Sequence, residues 1–174
     1  MVFKEGQKAM STAIANEIKV ADEVWIAAVL LHRENPGQAD FSVEEIVERA
    51  RREKLHAPLR PGVYIHVQMH CVANRPPNPG RYRMLFETAP GRRRLFMPGD
   101  PYDQARDGSK TVPSEHSIPA EYRSLLKWYA DWSKSQHEKK GRFDALLQLV
   151  GSGRKIWAHE HADEYVNRLR EGWE

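Results

Sequence analysis

At 174 residues the chain is long enough to bury one core and carry an appendage. Its 40% apolar content with five Trp and six Tyr fits a folded polypeptide, and 29% charged residues with a mean hydropathy of -0.71 fit a water-facing one. No run approaches the roughly 20 apolar residues of a membrane span, MVFKEGQKAM lacks a signal-peptide core, and the single Cys71 excludes an internal disulfide or a thiolate zinc cage. The expectation is a cytoplasmic protein without a membrane partner. Net charge is only +3, but its distribution is uneven: Arg75, Arg81, Arg83, Arg92, Arg93 and Arg94 face one acid, Glu87, within twenty residues.

Residues 1–19 carry no decisive period and read as an N-terminal extension. From Val20 to His32 a core helix follows, with Val24, Ala28 and Leu31 along one stripe and Trp25 and Val29 widening it. Asn35-Pro36-Gly37 stops it. The next helix has a well-marked start: Ser42 at the cap, Glu45 at the reciprocal capping-box position, and Phe41 placed to staple against Ile46. Val43, Ile46, Val47 and Ala50 point one way, while Glu44, Glu48, Arg51 and Arg52 point to water.

Ala57-Pro58-Leu59-Arg60-Pro61 breaks the chain before a third helix over Gly62–Ala73, with Pro61 suited to its first turn. Val63, Val67, His70 and Cys71 share a face, and Tyr64 and Gln68 sit one turn apart on another. Ile65, Met69 and Val72 make a second apolar strip, so periodicity alone does not fix which face is inward. Arg75-Pro76-Pro77-Asn78-Pro79-Gly80 is a loop, because proline lacks the amide donor. Two strands follow, Arg81–Glu87 and Arg93–Met97, joined through Thr88-Ala89-Pro90-Gly91-Arg92. Helix, turn, helix and hairpin in this order is the order of a winged helix.

A turn-rich loop runs to Pro119. Tyr122, Leu125, Leu126, Tyr129 and Trp132 then mark a helix over Ala120–Ser133, apolar enough either to close the core or to form a homodimer interface. Ser133–Gly141 has no apolar residue and reads as a linker. Phe143, Leu146, Leu147 and Val150 predict a short amphipathic helix, stopped by Gly151-Ser152-Gly153. A last helix begins near His161, with Asp163 and Glu164 in its first turn. The expected class is α+β: a winged helix-turn-helix of three helices plus a β-hairpin wing over residues 20–133, a linker at 134–141, and a helical partner-binding tail at 142–174.

The arginine-rich hairpin suggests double-stranded DNA as partner. Arg60 would hold a phosphate near the helix start, Tyr64 and Gln68 would meet base edges or backbone, and Arg92, Arg93 and Arg94 would work on the wing. The plainer reading is that these arginines keep a sheet edge soluble. His66 and His70 have the spacing of a metal-binding pair without a third ligand. Asp100, Asp103, Asp107 and Lys110 could be read as a nuclease cluster, yet they lie in a proline-bounded loop without strands to hold carboxylates around magnesium. The expectation is a non-enzyme with no metal or other cofactor.

Two resemblances extend this reading. His70-Cys71-Val72-Ala73-Asn74, the proline loop, Arg93-Arg94-Leu95-Phe96 and Pro98-Gly99-Asp100 resemble winged-helix domains of bacterial restriction and defence loci. Gly151-Ser152-Gly153-Arg154-Lys155-Ile156-Trp157 with the run Ala162–Trp173 resembles the tail of VapB-like antitoxins, which neutralise PIN-domain ribonuclease toxins. The second resemblance implies a toxin-wrapping tail in which Trp157, Tyr165, Val166, Leu169 and Trp173 supply anchors and Arg168 or Arg170 approaches the toxin's acids. The function expected is a DNA-binding antitoxin and autoregulator. The alternative is a DNA-recognition module of a restriction or defence system, its tail used for dimerisation.

Overall fold

A computed structural model of the chain describes residues 18–149 and 162–171. The chain divides into two compact units between Tyr129 and Ala130. The first is α+β, and its elements run α1 (Val20–Glu34), β1 (Phe41–Ser42), α2 (Val43–Glu53), α3 (Gly62–Ile65), β2 (Leu85–Ala89) and β3 (Arg92–Leu95). The three strands form one antiparallel sheet with β3 in the middle, in the order β1-β3-β2.

Helix α1 is the centre of this unit. Sequence periodicity predicts one buried stripe, but every residue from Ala21 to Leu30 is buried, including Asp22 and Glu23. A helix enclosed on all sides cannot leave charge unpaired. Lys110 Nζ therefore lies 2.7 Å from Asp22 and Arg60 Nη2 lies 2.6 Å from Glu23. Trp25, fully buried, meets Tyr129 edge to face at 5.7 Å between ring centroids.

Both halves of the capping box at Ser42 are formed, and Phe41 and Ile46 are each 1% exposed, as the staple predicts. The sequence does not announce that Phe41 and Ser42 also make a strand. They pair with Arg93 and Arg92, which turns the helix cap into the edge of the sheet.

The third helix is shorter than Gly62–Ala73. After Ile65 it widens into a π-helical turn over His66–His70, closed by the Cys71 amide donating to the His66 carbonyl at 2.9 Å. Val63, Val67 and Cys71 are fully buried, so this is the inward face, and Tyr64 is 46% exposed on the outer one.

The predicted linker is corrected. Residues 134–141 continue the α-helix that begins at Ser124, giving one helix, α4 (Ser124–Leu149). Lys, Gln and Glu are good helix formers, and the missing apolar residues signal missing burial rather than missing helix. The start of α4 closes the core: Leu125 is buried and the Tyr129 hydroxyl donates to the Phe96 carbonyl. In the second unit α5 (Ala162–Glu171) lies where the tail helix is expected. No helix among the described residues is long and apolar enough to cross a membrane.

Candidate nucleic-acid interface

The hairpin was expected to project its arginines. The structure turns Arg93 inward and ties Arg92 and Arg94 to carboxylates, and the geometry of β3 supplies the reason. Alternate residues of a strand face opposite ways, and Leu95 must go inward, so Arg93 goes inward with it; both are 1% exposed or less. Arg93 sits directly across from Glu87 in the register, and Nη1 lies 3.0 Å from that carboxylate. Its other nitrogens donate to the Val67 carbonyl at 3.3 Å and the Gln68 carbonyl at 3.2 Å.

Arg92 and Arg94 lie on the opposite face, and each is held. Arg92 Nη2 is 2.6 Å from Asp40, which also accepts from the Thr88 hydroxyl. The Thr88 hydrogen bond, followed by that from Arg92, holds the Asp40 carboxyl below its usual range. Arg94 makes a two-pronged pair with Asp100 at 2.6 and 2.8 Å, and its guanidinium stacks over the Phe86 ring, 4.3 Å from the centroid. Arg75 is bound to Glu87 as well, and its hydrogen bond is the main reason that the Glu87 carboxyl is held below its usual range.

Arg60, expected on a phosphate, is spent on Glu23 across the start of α1. Of the DNA-contact candidates, Tyr64 is the exposed one, with Gln68 partly exposed a turn later. Arg81, exposed in the loop before β2, stands beside Tyr82, whose ring lies 6.2 Å from that of His66. Tyr64, Gln68 a turn later and Arg81 are thus accessible in the helix-hairpin region, as is the hairpin tip at residues 88–91.

A cleft of about 440 Å³ opens elsewhere, between the end of α1 and the outer face of α2. Glu34, Glu44, Glu45 and Glu48 line it against Arg49 and Arg52. Its acidic lining repels phosphate, so a nucleic acid is not expected on this side of the unit.

The residues that sequence reasoning missed are those that hold α3 in place. A helix leaves its last four carbonyls without intrahelical donors. Here two buried arginines supply them, Arg93 on Val67 and Gln68, and Arg106 on Met69 at 2.9 Å and His70 at 2.8 Å. Arg106 also donates to the carbonyls of Arg75, Pro76 and Tyr82, and it is fully buried. Nothing in the local sequence marks Arg106, which sits in a polar loop; the two-residue alternation with Leu95 could have marked Arg93.

His66 and His70 stack edge to face at 4.8 Å, and the His66 ring nitrogen Nδ1 bonds to the Gly62 carbonyl at 2.7 Å. Gly80 packs so close that a Cβ there would stand 2.7 Å from that of His70. No group of three metal-ligating side chains comes together among the described residues. The acids after Pro98 are not gathered either: Asp100 serves Arg94 and the Met97 amide, Asp103 caps Ala105, and Lys110 is turned to Asp22. Cys71 is fully buried, which pushes its thiol up and leaves it unreactive.

Of the tail residues expected to meet a toxin, Val166, Arg168 and Arg170 are exposed on α5. Tyr165 and Leu169 lie on the same helix, their side chains outside the described set, and Trp157 and Trp173 lie outside the described residues. Comparison with family models, curated proteins and solved structures finds no match to the chain.

Proposed function

We propose that the first unit is a winged helix that binds double-stranded DNA, and that the chain acts as an autoregulator and antitoxin whose α5 region covers a PIN-domain ribonuclease. The observation that carries the DNA reading is topological. The order α1-β1-α2-α3-β2-β3 with β3 central leaves the outer face of α3 exposed beside the hairpin, the arrangement in which a recognition helix enters a major groove.

The contact set is revised from the hairpin to α3: Tyr64 and Gln68 meet the groove and Arg81 meets a phosphate. Arg60, Arg92, Arg93 and Arg94 hold the fold. The antitoxin half is supported by α5, where exposed Val166 lies between Ala162 and Arg170 on a helix with cations in its last turn. The protein acts on both partners by occlusion, without chemistry of its own.

The test is whether a PIN-domain reading frame adjoins that of the chain, whose absence counts against the antitoxin half, and then co-expression of the full chain with its product. Co-purification and loss of ribonuclease activity are expected, with Val166→Asp and Arg170→Ala together weakening both. An active ribonuclease that ignores the chain overturns the antitoxin half. The exposure of Leu147 on α4, at 57%, favours a second reading in which the second unit meets another copy of itself. That reading makes the chain a dimeric DNA-recognition module of a defence system, and a concentration-dependent mass in solution without the ribonuclease would support it.

A further inference from the structure

We propose that the middle of α4, Lys134 to Arg142, is the surface through which the protein attracts and holds the phosphates of duplex DNA. The inference rests on the DNA-binding reading and relocates its electrostatic contact to a segment outside the helix and hairpin.

The nine residues from Lys134 to Arg142 carry Lys134, Lys139, Lys140 and Arg142 against Glu138, a net charge of +3. The whole chain also sums to +3, so the remainder is balanced. Asp131 and Asp144 bracket the run without interrupting it. The imbalance is real in space as well as in sequence: all four cations are exposed, and none reaches a carboxylate within salt-bridge distance among the described residues. Arg75, Arg92, Arg93 and Arg94, by contrast, are each taken by a carboxylate.

A phosphate approaching the hairpin must displace Asp40, Glu87 or Asp100. On α4 it displaces no carboxylate among the described residues, and release of the bound small ions is what drives phosphate binding. The helix rises 1.5 Å per residue, so the four cations fall within about 12 Å along its axis. Lys139, Lys140 and Arg142 fall within about 5 Å of that, inside the Debye length of about 8 Å in physiological salt, so their fields reinforce one another.

The experiment uses the full chain and a fluorescent duplex of about 30 base pairs, with anisotropy followed from about 50 to 200 mM salt. The variant Lys134→Ala, Lys139→Ala, Lys140→Ala, Arg142→Ala keeps good helix formers throughout, and far-UV circular dichroism checks that its helix content is unchanged. Its affinity at low salt is expected to fall by tenfold or more, and its log-log salt slope to become shallower by about 3. The charge-keeping variant with arginine at 134, 139 and 140 is expected to bind as the wild type does.

If the alanine variant binds duplex with wild-type affinity and slope while Tyr64→Ala loses it, the proposal is overturned and the DNA reading stands. If the wild type binds no duplex at low salt, both fail together. Tighter binding to single-stranded RNA of the same length than to duplex also overturns the assignment to DNA.

Discussion

Arg93 and Arg106 show how charge is used in this molecule. Both are guanidinium groups buried against backbone carbonyls, and burial lowers the pKa of each; arginine keeps its charge in proteins, so each is a fixed cation with donors aimed at the end of one helix. Removing Arg93 leaves the Val67 and Gln68 carbonyls unsatisfied and Glu87 with one partner instead of two. Arg93→Ala and Arg106→Ala are each expected to lower the unfolding free energy by about 3–5 kcal/mol, measured by urea denaturation. Arg106→Lys is not expected to rescue, since an ammonium cannot reach five carbonyls in separate directions. His32 supplies a pH dependence. Its Nε2 accepts the Leu95 amide at 3.3 Å, its ring lies edge-on to Phe41, and burial, then the Arg94 charge, hold its pKa down to about 4, against a smaller opposing pull from Asp40. A depressed pKa means that the unfolded chain binds the proton more readily. Stability is therefore complete above about pH 6.5 and is lost as pH falls from there towards about 4, by on the order of 3 kcal/mol. His66, also held down by burial, acts in the same direction. Thermal denaturation across that range is expected to show the slope, and His32→Gln to flatten most of it.

At the scale of elements, the starts of helices were legible and their neighbours in space were not. The Ser42 cap and the Asn35-Pro36-Gly37 stop are local signals, written in consecutive residues, and both appear where the sequence places them. Ser42→Ala is expected to cost about 1 kcal/mol in the same urea experiment. Strand β1 escaped notice because two residues have no periodicity, and its pairing with β3 depends on a partner fifty residues away. The π-helical turn escaped for a similar reason. Its carbonyls can leave the α-helical pattern only because Arg93, from strand β3, and Arg106, from a distant loop, arrive to satisfy them. The reading of residues 134–141 as a linker confused absence of an apolar face with absence of helix. The arginine cluster was misread because counting charge in a line cannot see Asp40 and Asp100, which reach the hairpin from outside it, while Glu87 inside it serves two arginines.

Across the whole molecule, charge divides into two uses. In the first unit, buried α1 and the sheet consume their ions internally: Asp22 with Lys110, Glu23 with Arg60, and Asp40, Glu87 and Asp100 with the hairpin. In the second, Lys134, Lys139, Lys140 and Arg142 of α4 are exposed, with no ion pair to them among the described residues. The proposed partners are DNA for the first unit, read from its element order, and a ribonuclease for the tail, read from the sequence resemblance. The central claim is that α3 presents Tyr64 to DNA while the hairpin arginines serve the fold. The most direct measurement is duplex affinity at low salt for full-length Tyr64→Ala and Arg92→Ala, both surface changes that spare the core. The account expects a loss of about tenfold for Tyr64→Ala, the size of a lost contact worth about 1.4 kcal/mol, and less than about twofold for Arg92→Ala. A large loss for Arg92→Ala with Tyr64→Ala unchanged would contradict it.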